Sequence, residues 1–289
     1  MPINRSDRSS KRPAPEVVEF YTQFAEESRL GAGSAKLEYE RTRELLGRLL
    51  PSPPGRIVDV GGGAGVYAFW LADLGYQIDL VDATPRLVEE ARRRDLVASS
   101  KLASISEADA RTLSHPDGSA DAVLLMGPLY HLTAREDRLM ALREALRVLR
   151  GGGILVAAAI SRYAGTLDGL AFHPTLDSGI VKMRHDAIVD GQYRNTTGNP
   201  RYFTTAYFHT PEDLAEELTE VGYEEVRVFG VEGPGWLLPD FEARWRDDGS
   251  RSHVLTVARL LERESSVVGV SAHLVGAGSK PMMLKSEIE

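Results

Sequence analysis

The stretch RIVDVGGGAGVYAFWLADLGYQIDLVDATP, residues 56–85, decides the fold. A short apolar run, Ile57–Val60, feeds five residues of which four are glycine. An amphipathic segment over 65–74 follows, and a second apolar run over 77–81 ends in an acid at Asp82. A doubly wound sheet holds an adenosine-containing ligand with this unit: strand, glycine-rich turn, helix, and a second strand ending in an acid about 20 residues on. Glycine lets the backbone approach the ligand closely, and Asp82 would accept hydrogen bonds from ribose hydroxyls.

Working outward, residues 16–30 and 36–50 read as helices, the second with Leu37, Leu45, Leu46, Leu49 and Leu50 at apolar positions. PSPPG at 51–55 stops that helix. Downstream, Thr84-Pro85 reads as an N-cap with proline at the first helical position. Strands are expected at 103–107, 122–126 and 154–159, with a helix over 134–149 ended by the glycines at 151–153. Strands alternating with helices imply a parallel sheet covered on both faces. From 161 to 210 the rhythm breaks, over a length too great for a plain connection. Order returns with a helix at 211–221, a strand at 225–229, a helix at 253–264 and a strand at 270–275.

The expected architecture is α/β: a doubly wound, mostly parallel, seven-stranded Rossmann-like sheet. A disordered tail and helical lid occupy 1–50, the core 51–160 and 211–280, and an insertion forming a substrate cap 161–210.

Bulk properties narrow the function classes. The 289 residues are 43% hydrophobic and 26% charged, ordinary for a globular protein. The longest apolar run, ILVAAAI from Ile154, is far short of the ~20 residues of a membrane span. MPINRSDRSSKRPAP at the start is polar and basic with no apolar segment behind it, which reads as a tail rather than a secretion signal. With no cysteine there is no disulfide, thiol nucleophile or cysteine metal site, and a cytoplasmic location is expected. A net charge of −8 disfavours a nucleic-acid partner. The arginines at 91–95 and 142–150 read as solvated helix faces.

The glycines discriminate among ligands. A dinucleotide G-x-G-x-x-G counted from Gly61 meets Val66, counted from Gly62 it meets Ala64, and no Gly-Lys-Ser/Thr is present. What stands instead is Asp59-x-Gly61-x-Gly63-x-Gly65. This resembles motif I of the class I S-adenosylmethionine-dependent methyltransferases. VDATPRLVEEA, EADARTL, DAVLLMGPLYHL and EALRVLRGGGILVAAA resemble the family's later motifs in order and spacing, covering about 56–160.

The resemblance implies S-adenosyl-L-methionine as cofactor. It implies that Asp59 anchors the methionine end directly or through water, lined by Gly61 and Gly63. The same resemblance puts Asp82 on the ribose, Asp109 at the adenine amino group and Ala110 at its ring, with Ala83 and Met126 also at the cofactor. Asp59 reads alternatively as a carboxylate capping the turn. In EFYTQFAEESRL, Tyr21 is either a lid contact to the cofactor or plain packing, and Arg29 is a weaker lid contact.

Candidate catalytic residues are Tyr130 and His131, directly after the sheet edge in GPLYHL, and His209 in RYFTTAYFHT. His131 reads equally as a base or as a histidine capping the next helix. GPLY lacks the amide and second proline of an Asn/Asp-Pro-Pro-Tyr adenine methylase motif. The aromatics at 202–208 would wall a substrate pocket or pack a strand, and His173 and His185 have less support. No metal site is expected from ligand spacing.

The expected activity is methyl transfer to an O or N atom of a small molecule, with no nucleic-acid or membrane partner; a homodimer is compatible. The alternatives are an RNA or protein methyltransferase, or a non-catalytic S-adenosylmethionine-binding regulator.

Overall fold

The computed structural model describes residues 14–23, 29–175, 177–195, 197, 199 and 202–282. The expected tail at 1–13 and Arg201 lie outside them. Two helices, α1 (Pro15–Gln23) and α2 (Ala35–Leu49), precede the sheet. Then come β1 (Arg56–Val60), α3 (Val66–Asp73), β2 (Gln77–Asp82), α4 (Pro85–Val97) and β3 (Ser104–Glu107). Next are β4 (Ala120–Leu125), the single turn α5 (Pro128–His131), α6 (Arg135–Val148) and β5 (Leu149–Ser161). The insertion holds α7 (Ala164–Ala171), α8 (Ser178–Asp190), β6 (Gln192–Tyr193) and β7 (Ala206–His209). The chain closes with α9 (Pro211–Val221), β8 (Glu224–Gly230), α10 (Phe241–Arg246), α11 (Asp248–Leu261) and β9 (His273–Ser279).

Nine strands form the sheet where seven were expected. Seven of them run in the order β3-β2-β1-β4-β5-β9-β8, with β9 antiparallel to both β5 and β8. The two additional strands, β6 and β7, both come from the insertion, and β7 extends the far end of β5 through Ile160↔Phe208 and Ser161↔His209. Two-residue pairings of this kind carry almost no periodic signal. The glycines at 151–153 also differ from expectation, lying within β5 rather than in a helix-ending turn.

Period-two alternation sorts the strands between two cores. Val58, Val60, Val123 and Leu125 face α6 and α9, against Leu139, Leu142, Leu214 and Leu218. Ile57, Ile78, Leu80, Ala122 and Leu124 face α2 and α3, against Leu45, Leu46, Phe69 and Leu71. Parallel registers Val60↔Val81, Val60↔Leu125 and Leu125↔Ala157 bring the carboxyl ends of β1, β2, β4 and β5 level. The loops leaving those ends therefore open onto one cavity. The arginines at 92 and 93 pair with glutamates on their own helix, Arg94 lies over Phe69, and Arg147 pairs with Glu144 and Asp117. Among the described residues, no helix is long and apolar enough to cross a membrane.

Candidate active site

The turn after β1 is shaped by glycines. Gly61 and Gly63 have φ of 75° and 56°, a region side chains disfavour. A Cβ on Gly61 would stand 2.5 Å from Pro128 Cδ, so this residue also permits close approach of the loop after β4. Gly61→Ala should therefore be destabilised by about 1–3 kcal/mol from the backbone alone. Thermal unfolding would show a fall of several degrees, and an unchanged midpoint would contradict the packing described.

Asp82 ends β2 with both carboxylate oxygens directed at backbone. Oδ2 accepts from the Gly63 amide at 2.9 Å and Oδ1 from the Thr84 amide at 2.8 Å. Burial pushes its pKa up, while these backbone donors pull it down. Thr84 occupies the N-cap position of α4 as expected, but its hydroxyl makes no capping hydrogen bond. Asp82 and Ala83 line the cavity with Gly61, Gly63, Asp109, Ala110 and Met126. Asp109 is gripped by Arg111, whose Nε and terminal nitrogen donate at 2.8 and 2.7 Å.

Asp59, expected at the methionine end directly or through water, does not itself line the cavity. Alternation puts it on the Ile57 face of β1, beneath the turn, where a Cβ on Gly62 would meet its Oδ2 at 2.7 Å. It is buried, is not among the cavity-lining residues, and neither oxygen has a hydrogen-bond partner. Burial, then the nearby Asp82, raise its pKa to about 7. It does not cap the turn either.

The opposite wall is aromatic. Tyr130 and His131 occupy α5 and line the cavity, and Tyr21 reaches across from α1. The Tyr21 hydroxyl stands 3.0 Å from His131 Nε2. Nδ1 of His131 has no partner at hydrogen-bond geometry. Burial drives this imidazole down to about 4, the Thr205 backbone acting the other way. His131 is thus neutral at pH 7. The α1 helix is held over the site by Arg86 Nε donating to the Tyr21 carbonyl at 2.9 Å and by Thr204 Oγ1 donating to the Glu16 carbonyl at 3.2 Å.

The insertion meets the site differently from a cap lining it. Among the described residues none from 161–210 lines the cavity. Phe203 instead packs on Phe20, Tyr130 and His131, buttressing the lid from outside. Phe208 stacks on Tyr193 and Tyr207 lies beneath Arg138, as core packing. His173 and His185 are exposed and sit beside Asp168 and Asp186.

His209 is corrected outright in position. It is fully buried on β7, 3.4 Å from Glu217 Oε2, and Arg138 grips the other oxygen of that carboxylate, Oε1, at 2.7 Å. Burial lowers its pKa, with Glu217 opposing. The cluster ties β7 to α6 and α9, away from the cavity. His209→Ala should cost about 2–3 kcal/mol through the cavity created and a disturbed buried ion pair. The lowered unfolding midpoint should come with turnover kept; lost turnover at full stability would contradict this.

Arg29, the weaker lid contact of the sequence reading, does line the cavity, but the group it joins was missed in the sequence. Arg29, Glu38 and His273 line its far end, and Glu232 stands behind His273. Arg29 donates to both Glu38 oxygens at 2.6 and 2.9 Å. Ligand atoms of Glu38, Glu232 and His273 lie within 4.8 Å of one another, a metal-capable spacing that no local motif announces. His273 Nδ1 and Glu232 Oε1 stand 2.5 Å apart, a spacing that a proton between them fills and a metal does not. Topology was the available signal, since His273 opens β9 and Glu232 follows β8 on the same sheet edge.

The donor set suits a ligand rich in hydroxyl and amino groups without phosphates: carboxylates at Asp82 and Asp109, a glycine cradle, and an orphaned buried Asp59 beneath it. Comparison with known proteins agrees. A methyltransferase domain family model matches residues 58–157. A demethylmenaquinone methyltransferase of Deinococcus radiodurans is 30% identical over 198 residues, covering 66% of this chain and 78% of that relative. A ubiquinone biosynthesis O-methyltransferase of Xanthomonas campestris is 31% identical over 127 residues, covering 44% of this chain and only 49% of that relative. An S-adenosylmethionine-dependent methyltransferase structure from Methanosarcina mazei shares the fold, with a TM-score of 0.57 at 16% identity over 82% of this chain and 97% of that one. A chain with this glycine turn, this strand order and this likeness belongs to the class I S-adenosylmethionine-dependent methyltransferases.

Proposed function

We propose that the cavity holds S-adenosylmethionine along Asp109, Asp82 and the Gly61–Gly63 turn, and that the methyl passes to an O or N atom of a small molecule. The observation that carries this is the part-buried Tyr21–His131 pair, formed between α1 and α5 on the same cavity as the glycine cradle. The cofactor supplies an electrophilic methyl on a sulfonium. The remaining work falls to the chain's own groups. Asp82 accepts from ribose hydroxyls and Asp109 from the adenine amino group, with Ala83, Ala110 and Met126 giving apolar contact.

On the acceptor side, Tyr130 and His131 shape the wall, and His131, kept neutral by burial, takes a proton from an acceptor that arrives protonated. Tyr21 holds the imidazole in place through its hydroxyl while α1 excludes water. The insertion supports that lid from outside. Asp59 acts from beneath the turn, as a positioning residue for the cradle.

Relatives named for demethylmenaquinone and for ubiquinone biosynthesis make phenolic and quinol-type rings the first acceptors to assay. The test is transfer of a labelled methyl from S-adenosylmethionine to a panel of such rings and of small amines. Labelled low-molecular-weight product is expected. Label appearing only in RNA or protein would overturn the small-molecule reading.

A further inference from the structure

The cavity continues past the cofactor elements to a buried ionic cluster, and the order of strands separates the two ends. Asp82 and the Gly61 turn belong to β2 and β1, whereas His273 opens β9, paired with Ile160 of β5. From β1 to β9 the sheet crosses β4 and β5, three strand spacings or about 14 Å. This end lies beyond the stretch of cavity assigned to the cofactor, among the apolar side chains of Val231, Leu274 and Val275.

Glu232 accepts from Ser271 Oγ at 3.2 Å, the His273 amide at 3.0 Å and His273 Nδ1 at 2.5 Å. Glu38 takes two bonds from Arg29 and stands 3.7 Å from the same Nδ1. Burial alone would strip the imidazole of its charge, but the two carboxylates prevail and hold His273 up to about 9. It is therefore doubly protonated at neutral pH. Its Nε2 makes no hydrogen bond to any described residue, and the side chain, 26% exposed, lines the cavity.

From this we infer that His273 is a specificity-determining residue whose Nε2–H donates to an oxygen of the methyl acceptor. The acceptor class is a molecule with an apolar body that carries a hydrogen-bond-accepting oxygen, anionic or carbonyl. Glu232 accepts three hydrogen bonds and both Glu38 oxygens are bridged by Arg29, so a cationic amine would have to compete with Arg29 for Glu38. A metal would have to displace the proton between Nδ1 and Glu232. The inference rests on reading the cavity as a methyl-transfer site.

The experiment uses the full chain, with 15N-labelled histidine, saturated with S-adenosylhomocysteine. Benzoate and benzylamine are the probes. Benzoate should shift the His273 Nε2 resonance and bind about tenfold more tightly than benzylamine, the worth of one charge-assisted hydrogen bond. His273→Phe should remove that preference while S-adenosylhomocysteine binds as in the parent. Equal or stronger binding of benzylamine, or no shift at His273 with either probe, overturns the proposal. Weakened S-adenosylhomocysteine binding in His273→Phe at parental stability would assign the cluster to the cofactor and overturn it too. Failure of S-adenosylhomocysteine to bind the parent would instead refute the underlying cofactor reading. The resonance measurement uses the parent protein and does not depend on the variant folding.

Discussion

Asp82→Ala is expected to bind S-adenosylhomocysteine at least about 100-fold more weakly than the parent. A hydrogen bond to a charged group contributes about 1.5–3 kcal/mol, and two ribose hydroxyls on one carboxylate give about 3–6 kcal/mol. The loss compounds, because the same carboxylate clamps the turn: its oxygens accept from Gly63 and Thr84, tying the glycine cradle to the start of α4. Asp82→Asn gives the milder form of both effects, since its amide nitrogen cannot accept from Gly63 or Thr84 as the lost oxygen did. It keeps one acceptor oxygen and most of the shape, and should lose about tenfold, the worth of a single such bond. Calorimetry gives the affinities, and circular dichroism reports whether the fold is kept. Unchanged affinity in Asp82→Ala would reduce Asp82 to a turn clamp.

The second large effect is at His131. His131→Ala should lower turnover by about 100-fold or more, the usual scale of general-base catalysis. Affinity for S-adenosylhomocysteine should stay within about twofold of the parent, well under 1.4 kcal/mol. The pH profile gives the sharper signature. Burial holds the folded imidazole near 4, below its ordinary 6.5. Between these values the unfolded chain binds more protons, so stability falls as pH drops from about 6.5 toward 4. Because the base stays neutral over the same window, the acid limb of turnover should lie near pH 4 to 5. Tyr21→Ala, which removes the side chain covering the ring, should move that limb up toward 6.5. A parental acid limb already at 6.5, or full turnover in His131→Ala, would contradict the base role.

The parts of this molecule that were legible in the sequence are those specified locally. Gly61, Gly63 and Asp82 form one continuous unit whose conformational demands only glycine meets, and their chemistry is visible without tertiary information. Strands β1, β2, β4 and β5 are near-continuous apolar runs because the sheet is covered on both faces. For Asp59 the sequence left contact directly or through water open. Its alternation with Val58 and Val60 puts it on the α2 and α3 side, under the turn rather than in the cavity.

His209 shows the opposite failure. Alternating aromatics around it suggested a pocket wall, but Glu217, carried by the capping-box helix α9, lies opposite and claims it for the core. Arg29 was named as a lid contact, but its cluster with Glu38, His273 and Glu232 was invisible for a related reason. Its members come from four separate segments, and only the antiparallel return of β9 beside β5 brings them together. The insertion was marked as a departure from the core rhythm, while its place outside the lid depends on Phe203 and Thr204 meeting α1.

The most direct test of the account is a crystal structure of the full chain with S-adenosylhomocysteine. The ligand is expected to run from Asp109 across Asp82 to the Gly61–Gly63 turn, with Tyr21 closed over it and its sulfur on the Tyr130–His131 side. Ligand bound outside this cavity, or its amino-acid end lodged on His273 rather than at the glycine turn, would contradict it.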